Sequence, residues 1–296
     1  MKIKKIIIFI LTLLLAVVLA YFSFDTVTQV EQPDKTKLNV HFIDVGQADC
    51  MLITTLDDKT MLIDAGNNAD GDDVVNYIKK QGIDTIDVLI GTHPHEDHIG
   101  GMDDVIKNFN IGKFYMPRAA NNTKTFEDVL DAAQEKGLKI TAGKAGMNIG
   151  LSDSVNAEIL APNSETYKDL NNYSIVVKLT YKQDSFLFMG DAEKQSENEI
   201  LDKGYDISTD VLKIGHHGSS TSTSENFLKA VSPNDTVICV GKGNDYGHPH
   251  KETMKLLKDY GLTVYRTDEC GTIIATSDGS GITFNVKPGD YKYHSK

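Results

Sequence analysis

Thr92-His-Pro-His-Glu-Asp-His-Ile-Gly-Gly101 is the most informative segment of this chain, with three histidines and two acidic residues between positions 93 and 98. It follows an apolar strand predicted over residues 86–91 and precedes a helix predicted over residues 102–109. Imidazole is the commonest side-chain metal ligand near neutral pH, and carboxylates complete many such sites. Because a surface loop seldom concentrates these groups, the segment predicts a metal site at the end of a buried strand.

The spacing within this segment divides its ligands into two pairs. Pro94 disfavours helical geometry at His93, and residues two apart in an extended chain point the same way. His93 and His95 are therefore expected to reach one ion. Asp97 and His98 are offset from them and are expected to reach a second ion nearby.

A second acidic position stands at the end of another predicted strand. Residues 185–189 form an apolar run that ends in Gly190-Asp191. Two ions about 3.5–4 Å apart need a bridging acid, and Asp191 is the best candidate for it. The alternative is that Asp191 caps the helix predicted over residues 193–203, and the two roles are compatible.

A pair of histidines follows a further predicted strand. Residues 211–214 run directly into Gly215-His-His-Gly218. One of the two histidines is expected to complete the second metal, and we favour His216. The alternative is that these are hydrogen-bonded packing residues without a ligand role.

The last histidine motif is Gly247-His-Pro-His250, which contains no run of apolar residues. We expect His248 to bind substrate or to donate a proton to it. The alternative is a turn that carries surface histidines.

The arrangement of predicted elements indicates the fold class. Short β-rich runs separated by Gly and Asp turns alternate with helices from residue 38 onward, in two β-rich halves. Two such halves suggest two stacked sheets with helices outside them. The length of 296 residues fits one large domain, here predicted over residues 38–296.

The N-terminus carries a targeting pattern. Lys2, Lys4 and Lys5 precede an apolar run from Ile6 that stays uncharged to Phe24. A signal peptide and an uncleaved membrane anchor both fit residues 1–25, and the bulky residues after Ala20 favour the anchor. Residues 26–37 then form a polar linker. Either interpretation predicts an extracytoplasmic protein, which meets the membrane through this segment if it is not cleaved.

Charge and cysteine content restrict the classes of function. The net charge of −12 argues against a broad basic face of the kind that binds nucleic acid without sequence preference. A local basic strip is still compatible with it. The three cysteines show no Cys-x-x-Cys spacing, so they do not predict a cysteine-based zinc site.

Taken in order, these motifs resemble the metallo-β-lactamase superfamily, and more narrowly its ComEC-like extracellular hydrolase branch. The general resemblance lies in the His-x-His-x-Asp-His pattern, the acid after Gly190 and the late histidine. The narrower one lies in eight blocks that extend over most of the chain after the N-terminal segment: residues 42–49, 61–66, 92–101, 171–176, 188–193, 215–220, 246–250 and 265–268.

The resemblance implies a four-layer αββα sandwich of the α/β class, with two divalent metal ions at the sheet edges. The implied metal ligands are His93, His95, Asp97, His98, Asp191 and His216. The family's usual third histidine of the first metal has no counterpart, because no histidine occurs from residue 99 to residue 190. Amide oxygens from Asn171-Asn172 are weaker ligands, which leaves both Zn²⁺ and Mn²⁺ open as the metal.

The implied activity is that of a phosphodiesterase or nuclease that uses a metal-activated hydroxide, with DNA as the implied substrate. Asp97 would orient the water, and His217 or His248 would protonate the leaving oxygen. The expected substrate contacts are Asn172, Ser219, Ser220, Thr221 and His248. One alternative keeps the metals but acts on a small ester or a cell-wall phosphoester. Another is a binding module that has the fold without catalysis.

Overall fold

The computed structural model describes residues 34–293. The predicted signal or anchor segment at residues 1–25, and the linker up to residue 33, lie outside the described residues. Within residues 34–293, no helix is both long enough and apolar enough to cross a membrane.

Strands and helices alternate along the described chain. The strands are β1 Leu38–Phe42, β2 Met51–Thr54, β3 Thr60–Ile63, β4 Thr85–Ile90, β5 Asn110–Met116, β6 Ile140–Ala142, β7 Met147–Asn148, β8 Asn156–Ala161, β9 Val176–Tyr181, β10 Asp184–Phe188, β11 Val211–Lys213, β12 Asp235–Ile238, β13 Thr263–Arg266, β14 Ile273–Ser277 and β15 Ile282–Phe284. The helices are α1 Gly71–Lys80, α2 Glu96–Ile99, α3 Met102–Asn108, α4 Lys124–Glu135, α5 Lys194–Lys203, α6 Glu225–Val231, α7 Lys251–Asp259 and α8 Thr267–Cys270. Short 3₁₀ helices lie at Asn68–Asp70, Leu170–Tyr173 and Gly215–Gly218.

The strands form two sheets. Strands β1 to β6 belong to the first sheet together with the last two strands, β14 and β15, and strands β7 to β13 form the second sheet. The first sheet has the order β15-β14-β1-β2-β3-β4-β5-β6, and the second has the order β13-β12-β11-β10-β9-β8-β7. Strands β3 to β6 are parallel to one another, and so are strands β10 to β13. Strands β14 and β15 return to the first sheet beside β1, which joins the end of the chain to its beginning.

Three apolar layers hold the sheets and helices together. Between the sheets, side chains such as Phe42 and Ile90 pack against Phe186 and Phe188 of the second sheet. A second layer lies between the first sheet and α1, α3 and α4, and a third lies between the second sheet and α5, α6 and α7. The molecule is therefore a four-layer αββα sandwich, which confirms the predicted fold class.

The local sequence explains the central strands and the helices. Strand β4 is buried at Ile86, Val88, Leu89 and Ile90, as expected for an interior parallel strand that is covered on both faces. Helix α1 buries one apolar stripe and has acids in its first turn and lysines in its last turn. These charges complement the helix dipole.

The parallel strands bring their carboxyl ends to common edges of the sheets, and this positions the candidate site. Asp64 follows β3 and the histidine segment follows β4 in the first sheet. Asp191 follows β10 and the two adjacent histidines follow β11 in the second sheet. Loops at such carboxyl edges are the usual ligand sites of parallel sheets.

Some short elements differ from those expected from sequence. Strands β6 and β7 and the short helix α8 are additional to the predicted elements. Each is two to four residues long, which is too short for a periodic apolar pattern to develop.

Candidate metal centre

The histidine segment leaves β4 in an extended conformation and then turns into α2. His95 has φ −93° and ψ 152° and precedes the first residue of that helix. Nε2 of His93 lies 3.0 Å from Nδ1 of His95, so the two rings are in direct contact. Glu96 is exposed, whereas His93 and His98 are fully buried.

The two glycines that close the segment are required by close packing rather than by an unusual backbone angle. Gly100 has φ −59° and Gly101 has φ −88°. A Cβ on Gly100 would lie 2.2 Å from the backbone carbon of Asn67, and one on Gly101 would lie 2.5 Å from the carbonyl oxygen of Ala65. A side chain at either position would push the histidine segment away from the loop that follows β3.

Four ligand-type side chains from both sheets converge beyond this segment. One ligand atom from each of Asp97, His98, Asp191 and His217 lies within 4.8 Å of the other three. Nε2 of His98 is 3.2 Å from Oδ1 of Asp191, and Nε2 of His217 is 3.3 Å from Oδ2 of Asp97. Two imidazoles and two carboxylates at these distances form a suitable donor set for a divalent cation.

The donor atoms of this group fit a metal ion because they are buried without protein partners. Within residues 34–293, Nε2 of His98, Nε2 of His217 and Oδ1 of Asp191 have no hydrogen-bond partner. Buried polar atoms are nearly always satisfied, and three orphaned atoms that face one another are best explained by an ion.

The charges of the group perturb one another strongly. Burial alone would raise the pKa of Asp191, but the His98 and His217 imidazoles outweigh burial and hold that pKa well below its usual range. Burial alone would lower the pKa of His98, yet the Asp191 and Asp64 carboxylates raise it well above its ordinary value. A bound cation would take the place of the protons that these carboxylates attract.

The far side of each metal-facing histidine is held by the protein. Nδ1 of His98 lies 2.8 Å from Oδ2 of Asp64, whose carboxylate also accepts hydrogen bonds from the backbone and hydroxyl of Thr92. Nδ1 of His217 lies 2.9 Å from the carbonyl oxygen of Cys239. Such partners fix the tautomer and direct each Nε2 at the metal position.

The two adjacent histidines have different environments. His216 and His217 both have a positive φ, near 51° and 52°, so this angle does not distinguish them. The His217 side chain is 1% exposed and belongs to the buried group, whereas that of His216 is 22% exposed. Nε2 of His216 lies 3.5 Å from the other oxygen of Asp191, and its Nδ1 lies 3.2 Å from the hydroxyl of Thr221.

This geometry favours His217, rather than the sequence-based choice His216, as the histidine that completes the group with Asp97 and His98. It also argues against a proton-donating role for His217, because its Nδ1 faces the carbonyl oxygen of Cys239 and its unpaired Nε2 would be occupied by a metal ion. The adjacent histidines were indistinguishable in the sequence, since the direction of each ring depends on contacts with other segments, such as the carbonyl oxygen of Cys239 that lies 2.9 Å from Nδ1 of His217.

The first pair of histidines is linked to the bridging acid through Ser174. Its hydroxyl lies 3.3 Å from Nδ1 of His93 and accepts a hydrogen bond from the backbone N–H of Asp191 at 3.0 Å. Burial lowers the pKa of His93 well below its ordinary value, so the ring is a neutral ligand. His93 and His95 are therefore the histidines that could hold a first ion, with Asp191 connected to His93 through Ser174.

Asn171 and Asn172 have separate roles. Oδ1 of Asn172 accepts hydrogen bonds from the backbone N–H groups of Glu193 and Ser196, so this side chain caps α5. That leaves Asp191 free of the capping role considered from sequence. Oδ1 of Asn171 is buried without a partner among the described residues, and Asn171 lines the cavity beside His95. Asn171, rather than the expected Asn172, is therefore placed to meet a metal or a substrate.

A cavity of about 360 Å³ opens over these ligands. Its lining includes Gln47, Asn121, Thr123 and Tyr246, to which the sequence analysis assigned no role. The lining residues are Gln47, His95, Glu96, Asp97, Asn121, Thr123, Asn171, His216, His217, Tyr246 and His248.

His248 lies in this cavity, as the sequence suggested. Its ring stacks on Tyr246 at 5.6 Å between centroids, and its Nδ1 lies 3.3 Å from Nε2 of Gln47. Burial, together with the charge of His217, lowers the pKa of His248 to about 3. At neutral pH its ring is uncharged, which favours a hydrogen bond to substrate over donation of a proton.

The predicted hydroxyl contacts lie behind His216 instead of in the cavity. Among the described residues, the lining does not include Ser219, Ser220 or Thr221. The hydroxyl of Ser219 contacts that of Thr221, which in turn lies against the His216 ring. The backbone N–H of Ser220 donates to Nδ1 of His250. These residues support the loop, and the geometry favours neither Ser219 nor Thr221 as a direct phosphate contact.

Comparisons with known proteins agree with this fold. The family model described as "Metallo-beta-lactamase superfamily" matches residues 43–242. The chain is 32% identical over 266 residues to ComE operon protein 3 of Bacillus subtilis, an alignment that covers 84% of this chain and 34% of that protein. It is 30% identical over 256 residues to Recombination protein 2 of Haemophilus influenzae, covering 84% of this chain and 30% of that protein.

The chain thus spans about a third of the length of these two relatives. Among solved structures, the metallo hydrolase Igni18 from Ignicoccus hospitalis is similar with a TM-score of 0.53 at 15% identity, covering 80% of this chain and 98% of that one. At this level of identity, the likeness concerns the fold alone.

Proposed function

Because this chain belongs to the metallo-β-lactamase superfamily and is a metal-dependent hydrolase with ComEC-like relatives, we propose that it is an extracytoplasmic phosphodiesterase that acts on nucleic acid. The observation that supports this most directly is the convergence of orphaned donor atoms from His98, His217 and Asp191 beneath an open cavity. Zn²⁺ and Mn²⁺ both suit this mixture of imidazole and carboxylate ligands.

We assign the following roles to the side chains of the site. His93 and His95 would hold one ion, Asp97, His98 and His217 the other, and Asp191 would contribute one oxygen to each. Ions at such a site make water nucleophilic at neutral pH and offset charge on the phosphoryl group. Asp97 would also orient the attacking water, and the neutral ring of His248 would hydrogen-bond a phosphoryl oxygen.

The unpaired amide oxygen of Asn171 supports a weaker first site. Amide oxygens are harder and weaker donors than imidazole, so an ion beside His93 and His95 would be held less tightly than one beside His98 and His217. This difference keeps Mn²⁺ as well as Zn²⁺ among the proposed metals.

The proposal is tested by hydrolysis of bis-p-nitrophenyl phosphate and single-stranded DNA by the purified full chain, with Mn²⁺ or Zn²⁺ added. We expect cleavage that a chelator stops and that His95→Ala removes. The control is His41→Gln, which changes a buried histidine that contacts Tyr77 and lies outside the cavity lining. Cleavage that survives His95→Ala unchanged would contradict the proposed site.

The second candidate is a metal-dependent hydrolase of a small ester or a cell-wall phosphoester. The net charge of −12 favours it, since it repels a polyanion, and so does the modest cavity volume of about 360 Å³. Higher kcat/KM for small esters than for DNA in the same assay would favour this candidate.

Extracytoplasmic location is proposed from the lysines and the apolar run of residues 1–25. We expect that fusing residues 1–37 to alkaline phosphatase, which is active only after export, gives active enzyme. Release of the fusion into the medium would indicate a cleaved signal peptide, and retention in carbonate-washed membranes an uncleaved anchor. An inactive fusion in the cytoplasm would contradict the proposal.

A further inference from the structure

A second cavity, of about 490 Å³, carries a local concentration of unpaired positive charge. Arg118, Lys144 and Lys203 all line it, and all three are exposed. Within residues 34–293 none of them makes an ion pair or a hydrogen bond that would neutralise it. One acid, Glu165, shares the lining, which leaves an excess of two positive charges. We call this cavity the cationic groove.

The cationic groove stands out against the rest of the surface. The chain has a net charge of −12, and many of its exposed lysines are paired with an acid. Lys107, Lys124, Lys229 and Lys255 each pair with a carboxylate one helical turn away. Three cations without ion-pair partners around one cavity create a local positive potential on an otherwise acidic protein.

The cationic groove adjoins the metal cavity through two shared segments. Arg118 lines the groove and Asn121 lines the metal cavity, and three residues span at most about 11 Å. The side chain of Asn121 also donates to the carbonyl oxygen of Pro94 within the histidine segment. On the opposite side, Asn171 and Tyr173 belong to one 3₁₀ helix and line the metal cavity and the groove, respectively.

Two aromatic rings line the cationic groove together with the cations. Tyr173 packs edge-on against Tyr167 at 5.0 Å, and its hydroxyl accepts a hydrogen bond from the Tyr167 backbone. The hydroxyl of Tyr205 contacts Asn163. Both hydroxyls are thus used by the protein. Rings beside unpaired cations are the elements with which proteins hold single-stranded nucleic acid, through base stacking and contacts to the backbone.

We propose that the cationic groove binds a single strand of nucleic acid that leads to or from the metal centre. Its phosphates would meet Arg118, Lys144 and Lys203, and its unpaired bases would stack on Tyr173 and Tyr205. This inference rests on the proposed phosphodiesterase function, because it extends the same site along the substrate. It also explains how a protein with a net charge of −12 could bind a polyanion, because contact would be confined to the cationic groove.

The test compares two triple variants of equal net charge in the full chain. Arg118→Gln/Lys144→Gln/Lys203→Gln changes the groove, and Lys35→Gln/Lys258→Gln/Lys287→Gln changes exposed lysines that line neither cavity. Binding of a fluorescent oligothymidylate is followed by anisotropy in chelator, so that no cleavage is needed. Each phosphate contact to a single strand contributes about −0.7 to the slope of log K against log salt concentration.

We expect the groove variant to bind at least ten-fold more weakly at 50 mM salt and to reduce that slope by about 2, with the control variant close to wild type. Hydrolysis of bis-p-nitrophenyl phosphate, which is too small to reach the groove, should be unchanged in both. Equal binding and equal slopes in all three proteins would contradict the proposal that the groove binds nucleic acid. Failure of the wild type to hydrolyse any phosphodiester would contradict only the proposed function.

A second arm distinguishes nucleic acid from other phosphodiester polymers. Poly(glycerol phosphate) has a phosphodiester backbone without bases, and we expect it to compete with the oligothymidylate several-fold less well per phosphate. Replacing Tyr173 and Tyr205 by leucine should remove that preference. Equal competition by the two polymers would contradict the assignment of the groove to nucleic acid.

Discussion

Replacing His217 by alanine should weaken the binding of one divalent ion by more than about 100-fold, whereas replacing His216 should weaken it by less than about 10-fold. Nε2 of His217 lies 3.3 Å from Oδ2 of Asp97 and has no partner among the described residues. Loss even of a group that orients a ligand lowers metal affinity by about 10–100-fold, so loss of a ligand should lower it further.

The measurement is metal stoichiometry after dialysis, together with titration of the chelated protein with Zn²⁺ or Mn²⁺. His216→Ala is the matched control, since it removes the same imidazole one position away. A double-mutant cycle with Asp97→Asn adds a second readout. If both residues hold the same ion, their effects should be far from additive. Loss of an ion in His216→Ala but not in His217→Ala would contradict the geometric assignment.

Replacing Lys213 by methionine should destabilise the metal-free protein by about 3–5 kcal/mol. Lys213 and Asp49 form an ion pair in which both side chains are 0% exposed. Removal of one partner leaves a buried charge without compensation. For a protein of this size, the expected decrease in melting temperature is roughly 6–20 °C.

The position of this ion pair suggests that it does more than stabilise the core. Asp49 lies in the loop between β1 and β2 of the first sheet and Lys213 ends β11 of the second, so the pair links the first-sheet side of the site to the second sheet. The backbone N–H of Asp49 donates to the carbonyl oxygen of Asp97, and Oδ1 of Asp49 lies 3.4 Å from Nδ1 of His217. We propose that the pair positions His217 relative to Asp97.

The double variant Asp49→Asn/Lys213→Met separates these two effects. It removes both buried charges, so most of the lost stability should return. Metal affinity should still be lower than in the wild type by about 10–100-fold, because the contact to His217 is altered. Full recovery of both stability and metal affinity would show that the pair has only a structural role.

An exposed ion pair provides the control for Lys213. Lys59 pairs with Asp87 at 2.9 Å, and the Lys59 side chain is 45% exposed. Lys59→Met should change stability far less than Lys213→Met does, since solvent screens such a pair. An equally large effect at Lys59 would mean that burial does not explain the result at Lys213.

The sequence was informative wherever several chemical signals coincided. The segment at residues 92–101 combined a buried strand, three histidines and a proline. It therefore predicted the pairing of His93 with His95, which the structure places in contact. The two β-rich halves likewise predicted two sheets with helices outside them. Both inferences depend on local pattern, which is determined by neighbouring residues alone.

The buried Lys213 shows where local pattern was insufficient. In sequence it interrupts an apolar strand and has no partner nearby. Its partner Asp49 is 164 residues away, and only the packing of one sheet on the other brings the two together. A long-range pair of this kind leaves no periodic signal in a single sequence. The cationic groove is hidden for the same reason, since two of its cations come from separate loops and the third, Lys203, from the end of α5.

The sequence by itself determined the layered α/β architecture and the ligand types at the ends of β4, β10 and β11, because apolar periodicity and residue chemistry are local properties. Only the tertiary structure decided between His216 and His217, and between Asn171 and Asn172. Adjacent side chains of the same type differ only in the direction that the backbone gives them. That direction depends here on partners from other segments, which are the carbonyl oxygen of Cys239 for the His217 ring and the backbone N–H groups of Glu193 and Ser196 for the Asn172 amide.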